Sequence, residues 1–298
     1  MPFDNLIKLQ RFLQALVLMP HLPQELIDET IGHLWDDFPS LLSCSLSCRA
    51  WLPSARTHIF RDQFLASAGD CDRFEQLLEA SSDIAGYVRK LSVSEPQNVF
   101  YAEAWIGRLP SLMAKLENLE HIEFAKLHWS SQNMPRAYAN GASIFPVLAR
   151  VRCIILSDVS FDTVAEVYDL LAQSPNLRDL CYRRISCQGT TSYMVDASVR
   201  LDCRNRVPPR LRSLLLDAWT SAGTVIEWFL AANELELRSL VVRWRDHGNI
   251  NVLSRLLRAC AASLEHLQIE FPSTMTEPGD LNLTYNKALR VLHIDGLA

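Results

Sequence analysis

Two rhythms of apolar and polar residues divide the chain, and the first is helical. In PQELIDETIGHLW, Leu26, Ile27, Ile31, Leu34 and Trp35 recur at helical spacing, while Gln24, Glu25, Asp28, Glu29 and His33 fill the other side. Pro23 suits a first helical position and Glu25 the first turn, where the helix dipole favours a carboxylate. After the turn-like DDFPS, the stretch LLSCSLSCRAW (residues 41–51) predicts a second helix. Leu41, Cys44, Cys48 and Trp51 share one side at spacings of three and four, Leu42 and Leu46 adjoin them, and Pro53 ends the helix. Both thiols then lie on an apolar wall, where a free cysteine packs as a small hydrophobe.

The period changes at residue 88. Eight strand-like segments, VRKLSV, LEHIEF, VRCIIL, LRDLCY, LRSLLL, LRSLVV, LEHLQI and LRVLHI, begin at residues 88, 119, 151, 177, 211, 237, 264 and 289. The intervals between them are 31, 32, 26, 34, 26, 27 and 25 residues, and a self-similar unit of that size predicts a solenoid. Helical patterns fill the gaps at 162–173, 222–233 and 251–262, the first with Asp162 as N-cap and Ser174 and Pro175 closing it. The two longest intervals hold extra loops at 130–141 and 188–210. The last segment runs directly into Ala298, with no polar capping repeat of the kind solenoids ordinarily require.

Strand alternation orients each segment: its fourth and sixth positions point inward, its third, fifth and seventh outward. The fifth position reads Ser92, Glu123, Ile155, Cys181, Leu215, Val241, Gln268 and His293. At a strand spacing of about 4.8 Å, Ile155, Cys181, Leu215 and Val241 would form an apolar stripe about 14 Å long, framed by polar residues. That stripe is a candidate seat for a protein ligand; strands buried on both faces under a loop such as 188–210 are the plain alternative. The seventh position alternates in sign through Arg183, Asp217, Arg243 and Glu270. A mutually satisfied ladder explains this, and a charge-reading site is the alternative.

Composition narrows the function. With 298 residues, 49% of them apolar, the chain can bury a sizeable core. A formal charge of −5 and the lack of a long basic run exclude binding driven by nucleic acid phosphates. The longest apolar run near the N-terminus, LQALVLM, is too short to span a bilayer and no small-residue cleavage site follows it, so neither a membrane segment nor a signal peptide is expected. The eight cysteines, at 44, 48, 71, 153, 181, 187, 203 and 260, are scattered without a CxxC pair. Reduced thiols in the cytoplasm or nucleus fit that spacing better than a disulfide framework.

Catalytic and cofactor motifs are missing. No GxGxxG, P-loop, GxSxG, HExxH or EF-hand string occurs, and only ten glycines are present. A metal at Cys44 and Cys48 would need further ligands, and His33 and His58 have no paired spacing. His121, His128, His247 and His266 read as packed or solvated single residues, and Asp36 with Asp37 as an acidic turn. No enzyme, cofactor or metal is expected.

Residues 22–51 resemble an F-box, the helical module of substrate receptors in SCF-type ubiquitin ligases, especially the variant of large fungal families. The resembling residues are Leu22, Pro23, Glu25, Leu26 and Ile27, then Leu41, Leu42, Ser45, Leu46, Cys48, Arg49 and Trp51. The segments from 88 onward resemble leucine-rich repeats, L-x-x-L-x-L, a common companion of F-boxes. One departure is that the position often held by Asn or Cys in that family carries Leu127, Val159, Ile185, Trp219, Arg245 and Pro272.

The expected architecture is α/β: an N-terminal helical extension (1–19), an F-box module (20–64), a helical connector (65–87), and an irregular leucine-rich-repeat-like solenoid (88–298) with a curved parallel sheet and outer helices. The resemblance implies docking on a Skp-type adaptor, and through it on a cullin scaffold, by Leu22, Pro23, Leu26, Ile27, Ile31, Leu34, Leu41, Leu42, Leu46, Cys48 and Trp51. The repeats would capture a protein substrate, with Ile155, Cys181, Leu215, Val241, Arg183, Asp217 and Arg243 as candidate contacts. A repeat scaffold working outside any ligase is the other class of function. A helical unit of about 45 residues is also close to the lower limit for burying its own core, so some of its apolar surface should meet a neighbour.

Overall fold

The computed structural model of the protein describes residues 23–95, 105–129, 146–187, 206–218, 222–231, 235–244, 250–271 and 281–296. The chain divides into two units, Met1–Arg61 and Asp62–Ala298. The helical extension expected at 1–19, Leu22 and most of the loops 130–141 and 188–210 lie outside the described residues.

Among the described residues of the first unit, three helices form where the sequence pattern predicts two: α1 (Gln24–Gly32), α2 (Phe38–Ser47) and α3 (Leu52–Ile59). Pro23 is the N-cap of α1 rather than its first helical residue. Asp37 starts α2: its carboxylate accepts from the Ser40 backbone N–H at 3.2 Å and from Ser40 Oγ at 2.6 Å, and these bonds hold its pKa below the usual carboxylate range. The chain then turns extended at Cys48 (φ −160°, ψ 163°), so residues 41–51 are not one helix. Pro53 opens α3 instead of closing α2, at a first-turn position where its missing N–H costs no hydrogen bond.

Ile27, Ile31, Leu41, Cys44 and Ala55 make the core of this unit, with Leu34, Trp51 and Ile59 packed on it. A polar clip ties α1 to α3. Gln24 Nε2 donates to Asp28 Oδ1 (2.8 Å) and Ser54 Oγ (3.2 Å), and Ser54 Oγ donates to the same Asp28 carboxylate.

The second unit is α/β, built on a nine-stranded sheet in which every described pairing is parallel and neighbours follow chain order. Its strands are β1 (Asp62–Leu65), β2 (Lys90–Ser94), β3 (His121–Ala125), β5 (Cys153–Ser157), β7 (Asp179–Arg183), β9 (Ser213–Ala218), β10 (Ser239–Trp244), β11 (His266–Glu270) and β12 (Val291–Asp295). Eight of the nine are the repeat segments read from the sequence. The ninth, β1, precedes them, so the sheet begins at Asp62 and the expected boundary at 64 moves to 61. The connector carries α4 (Ala68–Ala80), started by Ser67, which accepts from the Asp70 backbone N–H at 3.2 Å.

Register follows the repeat. Leu91, Ile122, Ile154, Leu180, Leu214, Leu240, Leu267 and Leu292 pair in one row, and Val93, Phe124, Leu156, Tyr182, Leu216, Val242, Ile269 and Ile294 in another. All are buried except the two in β12, where Leu292 and Ile294 are exposed. Such inward columns are what each repeat cannot bury alone.

Behind them lie α5 (Leu109–Ala114), α6 (Val164–Ala172), α7 (Ala222–Ala231) and α8 (Ile250–Ala259), with 3-10 turns at Ser82–Gly86, Ile106–Arg108 and Pro146–Arg150. Thr163, not Asp162, caps α6, in a capping box with Glu166. The Glu166 carboxylate accepts from the backbone N–H groups of Asp162 (2.9 Å) and Thr163 (3.1 Å).

At the strand ends, Lys126, Asp158 and Arg184 adopt positive φ (54°, 56° and 48°). Each turns the chain into a short strand of a second sheet: β4 (His128–Trp129), β6 (Ser160–Phe161) and β8 (Ser186–Cys187). Just after these turns, Leu127, Val159 and Ile185 are buried. The corner is held by packing and by backbone bonds such as Lys126 N–H to Ser157 O at 2.8 Å. Trp129 anchors it, 5.2 Å edge-on from Phe124 and 5.6 Å from Phe161.

Adjacent residues of β9 test this assignment of faces. Leu214→Ala should cost about 2–5 kcal/mol in urea unfolding, because it empties a sealed site. Leu215→Ala, on the half-buried face, should cost about half as much or less. Equal losses would mean that both faces are sealed.

Candidate functional site

The first unit completes a core and still shows large apolar side chains to solvent. Leu46 is 87% exposed, Trp35 68%, Phe38 53%, Leu26 47% and Leu42 42%. Phe38, Leu42 and Leu46 stand at i, i+4 and i+8, one stripe along α2 whose opposite side supplies Leu41 and Cys44 to the core. Trp35 precedes the stripe, and Leu26 stands out from α1.

The sequence-predicted docking residues therefore separate into two sets. Pro23, Leu26, Leu42, Leu46 and Cys48 are exposed. Ile27, Ile31 and Leu41 are sealed in the unit's own core, so these three are corrected from contact residues to structural ones, while Leu34 and Trp51 pack half-buried against that core. Cys48 is also corrected: with the helix ended before it, it lies in solvent rather than on a packed wall. Phe38 and Trp35 were not among the predicted contacts. Phe38 could have been found, since it continues the Leu42, Leu46 spacing backwards by one turn.

The second candidate surface is the row of fifth positions. Ile155, Cys181, Leu215 and Val241 pair in register on neighbouring strands, and all four are half-buried. They are brought together as a continuous stripe. At one end Glu123 accepts from Ser92 Oγ (3.0 Å) and pairs with Lys90 Nζ (3.3 Å); at the other, Gln268 follows Val241. Burial pushes the Cys181 thiol up, partly opposed by Arg183, and raises Cys153, one strand away, to about 11. Both sulfurs are thus protonated near neutral pH and serve as apolar surface.

The seventh positions form a charge row. Arg183, Asp217, Arg243 and Glu270 pair in register. Arg243 Nε lies 2.9 Å from Glu270 Oε2, while Asp217 is buried and Arg183 exposed. The expected mutual satisfaction is seen at Arg243 and Glu270.

Among the described residues no group of three or more His, Cys, Asp and Glu side chains is placed to hold a metal, and no helix is long and apolar enough to cross a membrane. His128 joins a polar row at the corner: its Nδ1 is 2.8 Å from Ser160 Oγ and its Nε2 3.6 Å from Asp162. His247 lies outside the described residues. No protein-family model matches this chain, and no curated protein matches it in sequence.

Thiol labelling checks the placement of the cysteines. In a Cys203→Ser background, brief native alkylation at pH 8 should modify Cys48 first and spare Cys44, Cys71 and Cys260, which should react only after unfolding. Mass spectrometry of the digested protein reads the order, and early labelling of Cys44 would contradict the core described for the first unit.

Proposed function

We propose that this chain is the substrate receptor of an SCF-type E3 ubiquitin ligase. Residues 20–61 act as an F-box that docks on a Skp-type adaptor and through it on a cullin. The leucine-rich-repeat-like unit binds a protein substrate, and the chain itself is not catalytic. The observation that carries this reading is the set of Leu26, Trp35, Phe38, Leu42 and Leu46, exposed on a unit whose core is already made by other residues. Apolar side chains clustered in that way on a small module mark an interface, because water gains when a partner covers them. Three of the five, Leu26, Leu42 and Leu46, are also among the residues that carry the resemblance to an F-box.

The second unit supports the other half of the proposal. A stacked parallel sheet presents a broad regular surface, and its half-buried stripe Ile155, Cys181, Leu215 and Val241 supplies an apolar centre with charged neighbours, the arrangement of a protein interface. The substrate is read by side chains at the fifth and seventh positions, with the exposed Arg183 and Arg243 setting its polarity, and the buried Asp217 is corrected from a contact residue to a structural one.

Co-purification tests the proposal. The full chain should retain a Skp-type adaptor and a cullin, and Leu42→Asp with Leu46→Asp should reduce adaptor capture at least about tenfold without changing the melting temperature, since both residues are exposed. Undiminished capture by that variant overturns the assignment of the face. Capture of a sheet-bound partner with no adaptor or cullin would point instead to a repeat scaffold outside any ligase. For the second surface, Leu215→Asp combined with Arg243→Glu should abolish substrate capture while adaptor binding persists; substrate retained by that variant removes the sheet stripe as the reader.

A further inference from the structure

Register creates a column that no single repeat displays. The residues immediately before β2, β3, β5, β7, β9, β10, β11 and β12 are Arg89, Glu120, Arg152, Arg178, Arg212, Arg238, Glu265 and Arg290. Backbone bonds stack them directly: the N–H of Arg178 donates to Arg152 O (2.8 Å), that of Arg212 to Arg178 O (2.7 Å) and that of Arg238 to Arg212 O (2.8 Å). Four consecutive exposed arginines therefore stand on adjacent strands.

The two glutamates of the column serve its outer members. Arg89 lies 3.4 Å from Glu120, Arg238 3.8 Å from Glu265 and Arg290 3.9 Å from Glu265. Among the described residues, the side chains of Arg152, Arg178 and Arg212 have no carboxylate within ion-pair distance. Arg150 and Arg210, two residues further back, add to the positive margin, and Asp179 and Glu236 are the acids within two residues of the column between its glutamates. Like charges on neighbouring strands destabilise a sheet, so the fold gains nothing from this arrangement.

We infer that the column Arg152, Arg178, Arg212 and Arg238 binds an acidic, extended peptide segment. Planar guanidinium groups take carboxylates through paired hydrogen bonds, and a bound acidic chain removes the mutual repulsion of the column. Four strands at about 4.8 Å spacing span about 14 Å, the length of four or five extended residues at about 3.3 Å each. A long polyanion is disfavoured by the formal charge of −5 on the chain as a whole, which repels it beyond the column. That the segment belongs to a ubiquitination substrate rests on the receptor reading; the anion site does not.

Fluorescence anisotropy with the full chain and a labelled hexaglutamate peptide, at about 50 mM salt, tests the site. Arg178→Glu with Arg212→Glu should weaken binding at least about tenfold, while Arg89→Glu, outside the unpaired group, changes it less than about twofold. The double variant should melt no lower than the parent, because each new carboxylate gains one arginine neighbour in the column, Arg152 or Arg238, in place of a like-charged contact. If charge reversal prevents folding, Arg178→Gln with Arg212→Gln decides by the same criterion. Unchanged affinity in a folded variant overturns the site, and tighter binding of a hexathymidylate strand than of the peptide overturns the choice of ligand. Loss of adaptor capture elsewhere in the chain would remove the receptor reading and leave this result standing.

Discussion

Each repeat of the large unit can bury its inward side chains only against the repeat before and the repeat after it. From that constraint come the parallel pairing, the common register and the two apolar columns, since a slip of one residue would turn Leu214 or Leu240 to the outside. The helices between strands vary in length and the intervals are uneven, yet the register does not drift. Irregularity is absorbed in the connections, where it costs little, and excluded from the strands, where it would cost the core.

The small unit faces the opposite condition. Among its described residues, three short helices enclose five buried apolar or small side chains, with Leu34, Trp51 and Ile59 packed on them, and other apolar side chains stay exposed. Its economy is positional: on α2, Leu41 and Cys44 turn inward while Phe38, Leu42 and Leu46 turn out. One helix thereby serves both the fold and the proposed interface. The same division of labour operates on the sheet strands, where alternate residues hold the core and display a surface.

The sheet was largely legible in the sequence because a period of two leaves no freedom once a strand is recognised: naming Leu240 as inward names Val241 as outward. What escaped was whatever lacks a period. β1 has the sequence DQFL, with a single buried leucine, Leu65, and only its pairing with β2 identifies it. The break at Cys48 depends on a local extended conformation that nothing in LLSCSLSCRAW enforces, and Pro53 reads equally well as an end or a beginning until the neighbouring residues are placed.

Which apolar residues of the small unit are exposed was not legible for a related reason. Helical spacing groups Leu41 with Leu42 and Ile27 with Leu26, and only the direction of α3, with Ala55 at the contact, selects one of each pair for the core. The arginine column was hidden differently: its members lie 26 or more residues apart in sequence, and pairing alone brings them side by side.

The order of the strands has a consequence for how the molecule is made. Since each new strand requires as its template only the one just completed, the sheet can grow outward from β1 while synthesis continues, long before β12 exists. A nascent chain of this kind never waits for a distant partner. Its growing edge moves toward the C-terminus one repeat at a time.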